Sequence, residues 1–146
     1  MQIIRGEYEL TDDKTRFEIA AIHEMLRATY WAADRPREVV ERSIEHSLCI
    51  GLLRGSKQVG FCRAVTDQAT FSWICDVIVH PEHRRRGLGK WMVNELIHHP
   101  RIQTRSQLLA TKDAHGLYER HGFHFAGQDY LKRILDYDLV SAALVG

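Results

Sequence analysis

The sequence predicts an α/β (α+β) protein with a mixed, mostly antiparallel central sheet flanked by about four helices. Three observations carry this. Between Leu48 and Val79, strand-like apolar runs alternate with short turn sequences. On either side of that block the apolar spacing lengthens to that of a helix. The 146 residues, 45% hydrophobic and 27% charged, have the size and balance of one globular domain, expected over residues 1–146.

Taken in order, Glu7–Thr11 reads as a short strand. Thr15-Arg16-Phe17-Glu18 fits a capping box, in which a hydroxyl and a carboxylate satisfy the free amides of a helix start. Phe17, Ala21, Met25 and Ala28, with Ile22 and Leu26, then recur at helical spacing, and this helix is expected to end near Tyr30. Pro36 suits the first turn of a second helix, where its missing N–H is not needed. Val39, Val40 and Ile44 give that helix its apolar face. Leu48–Leu53, Gln58–Val65 and Ala69–Val79 form three strands, joined by Arg54-Gly55-Ser56-Lys57 and by Asp67-Gln68. Connections this short imply an antiparallel meander. Gly87–His99 returns to helical spacing, with Leu88, Met92, Val93, Leu96 and Ile97 inward. Gln107–Ala110 is a short strand. Ala114–His121 is a short helix closed by Gly122 at the C′ position. Phe123 onward, through Tyr130 to Leu135, is expected to return to the sheet. The order is β-α-α-β-β-β-α-β-α-β. Val140–Val145 is apolar enough to pack on its own sheet or on a second copy, so a homodimer stays open.

Charge and composition exclude several classes. A net charge of +1 does not suit a globally basic nucleic-acid binder, although it allows a local basic patch. No run approaches the roughly 18 apolar residues of a membrane span, and MQIIRGEYEL lacks the apolar core of a signal peptide. The expectation is a cytoplasmic protein with neither nucleic acid nor membrane as partner. Cys49, Cys62 and Cys75 are odd in number, lack a C-x-x-C pair and sit in apolar stretches, as buried free thiols do. The nine histidines include no H-x-x-x-H or H-E-x-x-H string, so no metal is expected.

Chemistry concentrates in Val77-Ile78-Val79-His80-Pro81-Glu82-His83-Arg84-Arg85-Arg86-Gly87-Leu88-Gly89-Lys90. This stretch runs strand, loop, helix start. Glycines two apart let backbone approach a ligand closely. Unpaired amides and the positive end of the helix dipole make an anion site there. Three arginines and Lys90 add charge, so a phosphate or pyrophosphate is the natural occupant. A Walker A string is absent, and a Rossmann fingerprint needs three glycines early in a parallel βαβ unit. A solvated basic surface is the plain alternative.

Arg84-Arg85-Arg86-Gly87-Leu88-Gly89 resembles the R/Q-x-x-G-x-G/A signature of the GNAT superfamily of acyl-CoA-dependent N-acetyltransferases. Ala114-His115-Gly116-Leu117-Tyr118-Glu119-Arg120-His121-Gly122-Phe123 is similar to that family's A-x-x-x-Y-x-x-x-G-F segment. The resemblance implies acetyl-CoA as acetyl donor. It implies pantetheine on the backbone of Val77, Ile78 and Val79, and pyrophosphate at Arg84, Arg85, Arg86, Gly87, Leu88, Gly89 and Lys90. It also implies Tyr118 near the thioester sulfur. Where the family often has Asn before the second motif, this chain has Thr111, still able to hydrogen-bond the cofactor.

Acetyl transfer to an amine needs a neutral amine, donors for the oxyanion and a proton for the leaving thiolate. Tyr118 is the expected general acid, with an ordinary pKa near 10, and a backbone amide near Val77 serves the oxyanion. Asp76 is the first candidate base, because a carboxylate inside an apolar strand invites a reason. It can take a proton directly or through water, or hold an ammonium. The alternatives are a structural carboxylate pinned by backbone or arginine, or water alone as base. On a regular strand Asp76 shares a face with Ser72, Ile74 and Ile78, opposite Trp73, Cys75 and Val77. Tyr30 and Trp31, between the first two helices, and Phe61, Arg63 and Trp73, on the meander, are candidates to contact a small-molecule or peptide amine. A non-catalytic acyl-CoA-binding module and a nucleic-acid-binding domain using Arg84–Arg86 are the competing readings.

Overall fold

Six strands stand side by side in chain order, β1 (Gln2–Arg5), β2 (Tyr8–Thr11), β3 (Leu48–Arg54), β4 (Lys57–Thr66), β5 (Phe71–Val79) and β6 (Ser106–Leu108). All neighbours are antiparallel except β5 and β6. That last pair is parallel because a crossover through α3 (Leu88–Ile97) joins its strands. Two helices, α1 (Ile19–Arg27) and α2 (Arg37–Glu45), lie between β2 and β3 in the chain. This computed structural model describes residues 1–127 and 129–145. It divides into two compact units, Met1–Ala110, which holds the whole sheet, and Thr111–Gly146.

In the first unit, Ile22, Met25 and Leu26 of α1 and Val40 and Ile44 of α2 close over Phe17, Cys49, Phe61 and Ile78. Leu88, Trp91, Met92, Val93, Leu96 and Ile97 are the buried side chains of α3. Each large apolar side chain buried in this way contributes on the order of 1.5–3 kcal/mol.

Several boundaries move for local reasons. The capping box at Thr15 does not form. Asp13 caps a 3-10 turn over Lys14–Arg16 by accepting from Thr15 N–H and Oγ1. Glu18 turns to the sheet instead. Its carboxylate accepts from Gln58 N–H at 3.0 Å, and Gln58 Oε1 accepts from Glu18 N–H at 3.1 Å. Helix α1 accordingly begins at Ile19, and it ends at Arg27 rather than near Tyr30. The expected strand from Ala69 begins only at Phe71, because Asp67 Oδ1 gathers the N–H groups of Ala69, Thr70 and Phe71 into a turn. β1 has no counterpart in the expected element order. It is a four-residue strand turned back on β2 at Gly6, φ +60.

The second unit holds α4 (His115–Glu119) and α5 (Tyr137–Val145). Gly122 closes α4 with φ +89, while Phe123 N–H donates to Tyr118 O and Gly122 N–H to Glu119 O. This is the paired termination that favours glycine, and the Tyr118 and Phe123 rings meet edge to face across it. The return to the sheet expected from Phe123 through Leu135 is overturned: no described residue there is a strand, and Gln128 lies outside the described residues. Gly127 takes φ +84, and Phe125, Leu131 and Ile134 stand exposed, so no buried face fixes a strand register. None of the described helices is long and apolar enough to cross a membrane.

Candidate active site

β4 and β5 fall out of step beside the site. Phe61 stands opposite Ile78, but Arg63 stands opposite Cys75, so β5 carries one extra residue over this stretch. Asp76 absorbs the bulge with φ +54, a left-handed conformation that Asp tolerates better than most residues. Directly opposed residues share a face. Phe61 belongs to the core under α1 and α2, so Ile78, and with Arg63 also Cys75, face that side. Trp73, opposite Val65, joins them. The regular-strand alternation is therefore overturned: Asp76 and Ile78 do not share a face with Ser72. Ser72 Oγ instead meets Thr104 Oγ1 at 3.0 Å, in the connection that follows α3.

β5 also outruns its parallel neighbour. β6 pairs with Phe71, Ser72 and Trp73 only, while β5 continues to Val79. The edge of Ile74–Val79 on that side has no strand partner among the described residues.

Where β5 ends, the chain makes a 3-10 turn over Pro81–His83 and enters α3. His80 N–H donates to Val59 O at 2.8 Å, and Arg84 Nε donates to Val79 O at 2.9 Å, which fixes the strand end. Arg85 and Gly87 both take left-handed conformations, φ +63 and +73. The first bond of the helix runs from Trp91 N–H to Gly87 O at 3.0 Å. The amides of Leu88, Gly89 and Lys90 precede it, and no side chain caps them. A Cβ built on Gly87 meets nothing within 4 Å. These are the features of an anion cradle: free N–H groups at a dipole end, open space above them, and exposed Arg85 and Lys90 beside them. Arg86 is anchored elsewhere, donating to Tyr8 Oη at 3.1 Å. Tyr8 Oη lies 2.9 Å from His83 Nδ1. Burial, then the charges of Arg54 and Arg86, lower the His83 pKa, so its ring is neutral at pH 7.

Asp76 is not poised as a base. Its side chain is 1% exposed, and its carboxylate accepts from Arg35 Nη1 and Arg63 Nε, both at 2.7 Å, and from Trp31 Nε1 at 3.0 Å. Burial raises its pKa, but Arg63 and Arg35 outweigh burial and the net shift is downward. This corrects the assignment of Asp76 as proton acceptor: both oxygens are engaged and the group binds protons poorly. Arg63 continues to Ser47 Oγ at 3.0 Å. Trp31 packs edge-on against Tyr30, ring centroids 5.0 Å apart, and both rings are exposed. Trp31, Arg35, Ser47, Arg63 and Asp76 thus form one group, of which sequence reasoning missed Arg35 and Ser47. Phe61 needs correction as well: its ring is 1% exposed and packs edge-on to Phe17, which leaves no surface for a substrate. Trp73 is half-buried on the Arg63 face.

In the second unit, Thr111 Oγ1 accepts from Ala114 N–H at 3.1 Å and so starts the turn into α4, which carries Tyr118. Cys75, beside the bulge, has its thiol pushed up to about 11 by burial, so it stays protonated. Among the described residues, His80, Glu82 and His83 bring donor atoms within 4.8 Å of one another. Arg54 and Arg86, whose charges already disfavour a proton on His83, oppose a cation there too.

A profile of the acetyltransferase (GNAT) domain matches residues 45–125, more than half of the chain. The chain belongs to the GNAT family. A crystal structure from Xanthomonas campestris pv. campestris, assigned to GNAT acetyltransferases, is 41% identical and superimposes with a TM-score of 0.83, covering 88% of this chain and 93% of that one. A Gibberella zeae protein named as an acetyltransferase is 30% identical over 63% of this chain and 63% of its own length. A Pyropia yezoensis protein named as an N-acetyltransferase is 34% identical over 61% of this chain and 55% of its own. The chain therefore spans less than two thirds of these two relatives. The GNAT match includes the bulge, the anion cradle and Tyr118.

Proposed function

We propose that this chain is an acetyl-CoA-dependent N-acetyltransferase that moves the acetyl group to a primary amine by direct attack within a ternary complex. One observation carries the reading: a β5 edge without a strand partner beyond Trp73 leads into the uncapped first turn of α3. Coenzyme A has the matching order of groups. Its amide-bearing pantetheine arm suits an unpaired strand edge, and its pyrophosphate suits free helix amides next to Arg85 and Lys90.

In this reading the amine lone pair attacks the thioester carbonyl, the C–S bond breaks, and the thiolate leaves with a proton from Tyr118 Oη, which regains one through water as the acylated nitrogen sheds its own. A backbone amide at Val77 steadies the oxyanion. A free alkyl ammonium has a pKa near 10.4, so it must shed a proton first. With Asp76 engaged by two guanidiniums, water is the acceptor of that proton. A protonated Cys75 thiol is a poor nucleophile, which favours direct transfer over an acyl-enzyme. Tyr30, Trp31, Arg63 and Trp73 are the acceptor-side candidates, and the acceptor is a small-molecule or peptide amine.

A panel of primary amines incubated with acetyl-CoA, read by released thiol, tests the reaction. Turnover with at least one amine is expected, together with coenzyme A binding that a Gly87 variant loses. Coenzyme A binding without turnover by any amine would leave only an acyl-CoA-binding module.

A further inference from the structure

We propose that Asp76 is a positioning residue for the acceptor half of the site: its carboxylate fastens the segment between α1 and α2 to the β5 bulge through Trp31 and Arg35. The inference rests on the acetyltransferase reading for its kinetic consequence, and on geometry alone for the clamp.

The clamp joins pieces of chain that local structure does not hold together. Asp76 lies 45 residues from Trp31 and 41 from Arg35. Arg63 arrives from the neighbouring strand and is itself held by Ser47. Both guanidiniums are largely withdrawn from water, 12% and 13% exposed, so the pairing is not a screened surface contact. The segment also has local ties. Thr29 Oγ1 donates to Leu26 O at 2.6 Å and accepts from Ala32 N–H at 3.1 Å, and His23 Nε2 lies 3.0 Å from Arg35 O. These shape the turn internally; buried Ala32 seats it on the core, and Asp76 fastens its Trp31 and Arg35 side to the bulge. Because Trp31 Nε1 is held at one edge, the indole of this exposed residue has a fixed direction beside the bulge. A wall fixed this way decides which acceptor fits, not how the donor binds.

Asp76 also has a separable backbone role, since its φ of +54 shapes the bulge. Asn and Gly both accept that conformation. Asp76→Asn keeps the bulge and loses the charge; Asp76→Gly keeps the bulge and loses the side chain. In the full chain, both variants are expected to speed amide hydrogen exchange across residues 28–36 at least tenfold, with coenzyme A affinity within about twofold of the parent. With the panel amine that turns over best, acceptor KM is expected to rise at least tenfold while kcat falls less than threefold. Arg35→Lys, which keeps the charge, is expected to show a smaller effect than Arg35→Met, and these two variants serve if Asp76 variants do not fold. Unchanged exchange across 28–36 in the variants overturns the clamp. A fall in kcat with constant acceptor KM overturns it in favour of proton transfer by Asp76. If no amine turns over with the parent protein, the acetyltransferase reading fails, and the exchange comparison still decides the clamp.

Discussion

The two halves of the site on β5 are built by opposite means. From Val79 to Lys90 the chain presents backbone: left-handed residues at Arg85 and Gly87, an uncapped helix start, and side chains such as Arg84 and Arg86 turned back onto the protein. At Asp76 the chain presents side chains, with two guanidiniums and an indole on one buried carboxylate. Backbone recognition suits a ligand part that never changes, such as a diphosphate. Side-chain recognition can be rebuilt by substitution without altering the fold, which suits the acceptor side of the proposed reaction.

Substitutions should separate the halves, beginning with the largest effect. Asp76→Ala leaves Arg35 and Arg63 without their shared counter-charge and is expected to lower unfolding free energy by about 3–5 kcal/mol in urea titration. A loss below about 1 kcal/mol would mean the ion group is no more than a surface pair. Tyr118→Phe is expected to lower kcat by about a hundredfold, the range of general acid catalysis, with acetyl-CoA affinity unchanged; undiminished turnover removes Tyr118 as the acid. Gly87→Val adds about 1–2 kcal/mol of left-handed strain and fills the open space over the amides. Calorimetry is expected to show at least a tenfold weaker coenzyme A complex, and an unchanged one would break the backbone half of the comparison.

Smaller effects follow from titration. The pKa of His83 is lowered in the folded protein, so the unfolded chain takes up its proton first as pH falls. The stability this group contributes is complete above about pH 6.5 and is lost on acidification toward its lower folded pKa. Asp76 is likewise depressed and adds a second loss below about pH 4. Thermal melts of His83→Gln should lack the first step and keep the second. Cys75→Ala is expected to leave turnover within about twofold, and an inactive variant would reopen an acyl-enzyme route.

Much of the first unit was readable because its signals are local. The meander from Leu48 to Val79 follows alternating burial and turn residues, and the anion cradle follows from glycine spacing at a strand-to-helix turn. Asp76 stood out as a carboxylate in an apolar strand, but its partners did not, since Trp31 and Arg35 are distant in the chain. The bulge left no sequence mark either, so the face assigned to Asp76 and Ile78 was wrong, while Trp73 and Cys75 do stand opposite Ser72. Phe61 looked available because no local rule says that Phe17 covers it.

By itself the sequence determined the order of the elements from β2 to β6, the Gly87 helix start and the Gly122 helix end. Each depends on backbone preferences within a few neighbouring residues. Tertiary structure alone decided that Glu18 serves Gln58 rather than Thr15, that Asp76 holds two arginines rather than waiting for a proton, and that Tyr8 fixes Arg86. Hydrogen bonds between remote segments are settled by which groups packing buries together, and a buried polar group takes whatever partner that leaves within reach.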